Sequence, residues 1–210
     1  MNMDAITAIE NMRKKAWADL QRRVESCQKC HLCRTRQHTV FGEGPKENCR
    51  CVIIGEAPGE DEDKTGQPFV GNAGKLLDEI LSESTIDRDS LYIMNVLKCR
   101  PPSDDPKKKN RPPAKEEVSA CQEYLETQLA LLHPDIIVTM GNTPTQLLLE
   151  NDWGITKIHG RWFPKRMIYI YPMFHPSYLL HNKQNYQELR ALMLKDAQAL
   201  KIALDKLKSL

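Results

Sequence analysis

Four short runs in the chain are apolar along nearly their whole length: CVIIGE (51–56), LYIMNV (91–96), DIIVTMG (135–141) and MIYIYPMFHP (167–176). A strand with one wet face alternates apolar and polar residues, so continuous β-branched runs of this length predict strands covered on both faces. Helix-like segments separate them: NAGKLLDEILSES (72–84), AKEEVSACQEYLETQLALL (114–132), TPTQLLLEN (143–151) and QNYQELRALMLKDAQALKIALDKLK (184–208). The alternation predicts an α/β fold, a three-layer α/β/α sandwich around a mostly parallel four-stranded central sheet. Ahead of the first strand, the stretch over 4–25 has the apolar spacing of an amphipathic helix and lacks the uninterrupted apolar core of an export signal.

With 210 residues the chain suits one domain spanning 1–210. Hydrophobic residues at 40% and charged residues at 28% exclude a disordered chain. No stretch approaches the roughly 20 apolar residues of a membrane span, so no membrane partner and a cytoplasmic location are expected. The net charge of +2 neither demands nor excludes nucleic acid. Lysine-rich KKKNR (107–111), inside the linker-like PPSDDPKKKNRPP (101–113), reads first as solvated surface.

Seven cysteines are present, at 27, 30, 33, 49, 51, 99 and 121. An odd count without a secretory signal disfavours a disulfide framework and favours metal or cluster ligation. Three of them fall in CQKCHLC (27–33), one short of the four thiolates that zinc or an iron–sulfur centre commonly takes. Spacing alone leaves zinc and iron–sulfur both open.

Ligands of a parallel α/β sheet bind at the carboxyl ends of its strands. The residues expected there are Glu56, Asn95, Gly141 with Asn142, and His175. The loop GEAPGEDEDKTGQPFVGNAGKLL (55–77) is long and acidic and carries an apolar Phe69. It lacks the Gly-Lys-Ser/Thr ending of a phosphate loop, which argues against nucleotide hydrolysis. Asn95 offers a donor and an acceptor side by side, the pattern that pairs with a nucleobase edge.

Taken together, Cys27 with Cys30, FGEGP (41–45), GEAPGEDEDKTGQPFVGNAG, YIMNVLKCRPP, Cys121, ITKIHGRW (155–162) and MFHPSYLL resemble the family 4 uracil-DNA glycosylases of the uracil-DNA glycosylase superfamily. The resemblance implies a monomeric base-excision-repair enzyme that hydrolyses the N-glycosidic bond of uracil in single- or double-stranded DNA. It also implies a [4Fe–4S] cluster on Cys27, Cys30, Cys99 and Cys121, within segments 27–33 and 99–121. The 21 residues from Cys99 to Cys121 exceed the family's usual spacing, which makes Cys33 the substitute for Cys121. In the implied pocket Phe69 stacks on the base, Asn95 reads its edge, and His175 stabilises charge on uracil O2. Ala57 fills the slot where related families place a water-orienting Asp, leaving Glu56 or Glu62 for that role. Ser177, Tyr178 and Leu179 would meet DNA, Leu179 or a neighbour as a wedge, with KKKNR as a further contact. The alternatives are a relative with altered base preference, one trapped covalently on uracil-DNA, or a non-catalytic iron–sulfur protein that binds DNA or senses redox state. KKKNRPP contains no His, unlike the loop of the trapping relatives, and this favours turnover.

Overall fold

The computed structural model describes residues 3–105 and 108–208. Its strands are β1 (Cys51–Gly55), β2 (Tyr92–Asn95), β3 (Ile136–Met140), β4 (Phe163–Lys165) and β5 (Ile168–Met173). They form one sheet in the order β2-β1-β3-β5-β4. The first four in that order are parallel, and β4 runs antiparallel along β5 at the edge. The sheet thus has five strands where the sequence predicts four. The missed strand is three residues long with Pro164 at its centre; a proline cannot donate to a ladder and is tolerated only on an edge.

Among the described residues eight α-helices accompany the sheet: α1 (Met3–Glu25), α2 (Glu60–Thr65), α3 (Asn72–Glu83), α4 (Lys115–Leu132), α5 (Asn142–Leu149), α6 (Ile155–Ile158), α7 (Pro176–His181) and α8 (Tyr186–Lys208). Every residue of β1, β2 and β3 is buried. Successive side chains serve opposite faces. Ile53, Ile93, Val138, Tyr171 and Met173 pack with Leu77 and Ile80 of α3, Leu179 of α7 and Met193 and Leu200 of α8. Val52, Ile54, Tyr92, Met94 and Ile137 pack with Trp17, Leu20 and Val24 of α1 and with Tyr124 and Leu125 of α4. Two cores, one per face, make the three layers. Each fully buried Leu or Ile contributes roughly 1.5–3 kcal/mol of transfer free energy. A third, small cluster joins Leu32, Leu97, Cys99 and Cys121, with Cys30 and Ala57 against it. No helix among the described residues is long and apolar enough to cross a membrane.

The parallel register pairs Gly55 with Asn95. The carboxyl ends of β1 and β2 therefore finish level, while β3 and β5 end nearby at Gly141 and ahead of His175. That edge of the sheet carries the site.

Candidate active site and thiol cavity

Asn95 ends β2 with only 2% of its surface exposed, and its Oδ1 is buried without a hydrogen-bond partner. A buried amide oxygen left unpaired costs about 1–3 kcal/mol, so a ligand donor at this atom recovers a real penalty. The level register explains what it faces. A Cβ on Gly55 would stand 2.3 Å from Asn95 Oδ1 and 2.7 Å from Cζ of Phe69. Only hydrogen at position 55 leaves that slot clear.

Phe69 forms the slot's wall from a backbone with φ of 53°, a left-handed conformation that costs a non-glycine residue roughly 1–2 kcal/mol. Its surroundings hold it there. Glu62 Oε1 accepts from the amides of Val70 (3.0 Å) and Gly71 (2.9 Å), and Arg88 donates to the Pro68 carbonyl at 3.1 Å. A Cβ on Gly74 would fall 1.8 Å from the Phe69 carbonyl oxygen, so α3 approaches the loop only through a glycine. The Phe69 ring lies 5.6 Å from the His175 ring, centroid to centroid.

His175 caps the N-terminus of α7. Its Nδ1 accepts from the Ser177 amide at 3.1 Å and from the Ser177 hydroxyl at 2.7 Å. With Nδ1 an acceptor, Nε2 carries the proton and is a donor. Burial drives the pKa of the ring down to about 4, assisted by the charge of His181, so the imidazole is neutral at ordinary pH.

Glu56, just beyond β1, accepts from the hydroxyl of Thr143 in the first turn of α5. Thr143 is absent from the residues the sequence singles out; contact between residues 87 apart leaves no sequence signal. The two acids that are alternatives for one role stand in different surroundings: Glu62 is 8% exposed and engaged with the Phe69 loop, whereas Glu56 is half-buried at the strand end. Ala57 packs against the Cys99–Cys121 cluster and joins the pocket loop to the cysteines.

The wedge expectation is corrected at Leu179. Residues 176–181 form helix α7, and helical spacing turns Pro176 and Leu179 inward; Leu179 is fully buried in the core with α3 and α8. Tyr178, 40% exposed, and the half-buried Leu180 are the neighbours on the outer side. Lys107 lies outside the described residues. Lys109 pairs with Glu60 at 2.8 Å and Lys108 approaches Asp105 at 4.0 Å, both on the surface.

Cys27, Cys30, Cys33, Cys99 and Cys121 line one cavity with Arg36, Lys98 and Tyr124. All seven cysteines are free, and Cys49 and Cys51 lie away from the cavity in the two main cores. Among the described residues no three His, Cys, Asp or Glu side chains gather closely enough to hold a single metal ion. The five thiols share the lining of that one cavity without closing on a single point. Burial raises Cys30, Cys121 and Cys99, the last to about 11. Donors are nevertheless aimed at sulfur: Arg36 Nη1 lies 3.4 Å from Cys99 Sγ and the Lys29 amide 3.5 Å from Cys27 Sγ. Such N–H donors favour thiolate and fit an iron–sulfur centre.

An unpaired buried amide oxygen, an aromatic ring and a neutral imidazole thus meet at the carboxyl edge of a parallel sheet, where α/β proteins bind their ligands. The Uracil DNA glycosylase superfamily model matches residues 41–207, and the chain belongs to that superfamily. It is 42% identical over 193 residues to a type-4 uracil-DNA glycosylase of Thermotoga maritima, covering 90% of this chain and 95% of the relative. Type-4 enzymes of Sulfurisphaera tokodaii and Archaeoglobus fulgidus are each 39% identical, over 83% and 81% of this chain and 84% and 86% of theirs.

Proposed function

We propose that the chain is a DNA-repair glycosylase that hydrolyses the N-glycosidic bond of uracil in DNA and leaves an abasic site. The observation that carries this reading is the unpaired Asn95 Oδ1 facing the slot between Gly55 and Phe69. Uracil N3–H donates to that oxygen, and the Asn95 amide nitrogen donates to O4. Cytosine presents an acceptor at N3 and a donor at position 4, which leaves buried groups unpaired at roughly 1–3 kcal/mol each. The base reaches the slot only when extruded from the stack, and Phe69 replaces the lost stacking.

As the C1′–N1 bond breaks, negative charge gathers on O2. Nε2–H of His175 donates there, and a neutral imidazole suits a site that must bind the base before the charge exists. Glu56, steadied by Thr143, orients the attacking water and faces the cationic sugar. Glu62 holds the Phe69 loop. Ser177, Tyr178 and Leu180 supply the DNA-facing end of α7, with Lys108 and Lys109 as outlying phosphate contacts.

Cys27, Cys30, Cys99 and Cys121 would hold a [4Fe–4S] cluster, which ties segments 27–33 and 99–121 together and is not required by hydrolysis. Seven unpaired cysteines suit a reducing cytoplasm, and the site is complete within one chain, as a monomer requires. The test incubates pure protein with uracil-containing oligonucleotides, single-stranded, U·A and U·G, followed by alkaline cleavage. Strand breaks at uracil that vanish in His175→Ala and Asn95→Ala are expected. Intact strands with the wild-type protein would overturn the reading.

A further inference from the structure

Asp196 of α8 is 6% exposed, and its Oδ2 lies 2.7 Å from Nδ1 of His159, the residue that follows α6. A carboxylate only accepts, so Nδ1 carries the proton and the bond fixes the orientation of the ring. Burial pushes the Asp196 carboxyl up and the bond from His159 pulls it down. Among the described residues no other group hydrogen-bonds this carboxylate.

The pair joins segments that meet only in the fold. Gly160 has φ of 69°, and a Cβ there would stand 2.3 Å from Asp196 Oδ1, so the turn closes on the carboxylate only through a glycine. The hydroxyl of Tyr171 in β5 donates to the Asp196 carbonyl at 3.0 Å, and the Gly160 amide donates to the Pro172 carbonyl at 2.9 Å. Helix α8, the turn after α6 and the end of β5 are tied at one point.

That strand leads into His175. Its last residue, Met173, accepts from the Gly141 amide at 2.9 Å, and Phe174 and His175 lie past the ladder. Phe174, buried, is held by its ring: the His159 ring lies 4.3 Å away, centroid to centroid, and the Tyr178 ring stacks on it at 5.7 Å with 12° between planes. Phe174 shares a peptide bond with His175, so a shift of the seated ring moves the backbone from which His175 reaches the pocket.

We infer that Asp196 and His159 are positioning residues for the glycosylase reaction: the carboxylate sets the His159 ring, the ring seats Phe174, and Phe174 sets the direction of Nε2–H on the adjacent His175. Resting on the reading of His175 given above, this assignment names what aims the donor. An error of aim is felt where charge gathers on O2, because that interaction strengthens only as C1′–N1 breaks. Binding of the extruded base depends on Asn95 and Phe69 and is left alone. A pair that merely braced α8 would lower stability and leave the rate of the folded protein unchanged.

The experiment compares wild type, Asp196→Ala, Asp196→Asn, His175→Ala and the double variant combining Asp196→Ala with His175→Ala. Each is measured in single-turnover cleavage of U·G duplex, in affinity for duplex carrying a non-cleavable uracil analogue, and in thermal unfolding, with rates taken well below the unfolding temperature. Asp196→Ala should lower the rate about 10- to 100-fold while affinity for the analogue stays within about twofold. Asp196→Asn keeps an oxygen that accepts Nδ1–H and should recover most of the loss. In the double variant, removal of Asp196 should cost nothing further, its rate lying within about twofold of His175→Ala alone.

If Asp196→Ala does not accumulate, Phe174→Leu decides by the same measurements: it leaves the pair intact, removes the ring that His159 seats, and should show the same rate loss and the same non-additivity with His175→Ala. A wild-type rate in the variant tested, or a loss that persists undiminished in the His175→Ala background, would overturn the positioning role. A wild-type rate in His175→Ala itself sinks the reading of the pocket, so that single variant tells the two failures apart.

Discussion

His175 Nδ1 accepts both the amide (3.1 Å) and the hydroxyl (2.7 Å) of Ser177, two residues further along the chain. This doubled contact sets the tautomer and leaves Nε2–H as the ring's outward donor. With the pKa near 4 in the fold against 6.5 for the free side chain, the unfolded chain binds more protons between those values. Stability therefore rises with pH across that window: the contribution is complete above about pH 6.5 and is lost as pH falls through about 4. Urea unfolding of wild type and His175→Gln at several pH values should show the wild type losing the larger share of its stability on acidification. The single-turnover rate of wild type should stay level down to about pH 5 as far as this ring is concerned, and His175→Ala should lower it roughly 10²–10³-fold.

Gly55→Ala tests where the base sits. The new methyl would stand 2.3 Å from Asn95 Oδ1 and 2.7 Å from Phe69, so one of the two must move. A shift of this size in a positioning group costs on the order of 10²-fold in rate. Cleavage of uracil-DNA should fall by about that factor while circular dichroism remains that of the folded protein. A wild-type rate in Gly55→Ala would place the base elsewhere.

The strands were legible because burial on both faces writes itself as unbroken apolar runs, as in CVIIG and IIVTM. Strand ends follow from the strands, which makes the positions of Asn95 and His175 legible in the sequence. What stayed hidden depends on direction or on distant partners. β4 hides behind Pro164, and Leu179 reads as an exposed loop residue until helix α7 turns it inward. Thr143 meets Glu56, and Glu62 meets two amides eight and nine residues on, through tertiary folding alone. Lys98 is not among the residues the sequence singles out, and nothing in its neighbours along the chain announces that it is buried.

Cysteine replacement separates the ligand set from the bystanders. Cys27→Ser, Cys30→Ser, Cys99→Ser and Cys121→Ser should each lose bound iron and the broad absorption near ~400 nm typical of thiolate-bound iron–sulfur centres. Cys49→Ala and Cys51→Ala should keep both, since neither lines the cavity. Cys33 does line it, so Cys33→Ser is the informative variant. Retained iron in Cys33→Ser supports the four-residue set, and iron loss there with retention in Cys121→Ser would exchange the two.

Glu62 separates positioning from proton transfer. Its Oε1 takes the amides of Val70 and Gly71, and between them they fix the segment in which Phe69 sits at φ of 53°. Removing the acceptor leaves two amides unpaired, at about 1–3 kcal/mol each where they stay buried. It also frees Phe69 to leave its strained conformation. Glu62→Ala should therefore raise KM for uracil-DNA about tenfold or more, with a smaller change in kcat, because a displaced stacking wall weakens binding of the extruded base before bond cleavage begins. Glu62→Gln keeps a carbonyl oxygen in the same place and should stay within about threefold of wild type in both constants, since the surviving amide acceptor still pairs with both N–H groups. A general base behaves differently: replacing its carboxylate by an amide abolishes proton transfer and lowers kcat by roughly 10²–10⁴. Steady-state kinetics of both variants on U·G duplex decide the matter. A Glu62→Gln variant whose kcat falls by that larger factor at unchanged KM would return Glu62 to the chemistry and leave Glu56 without its assigned role.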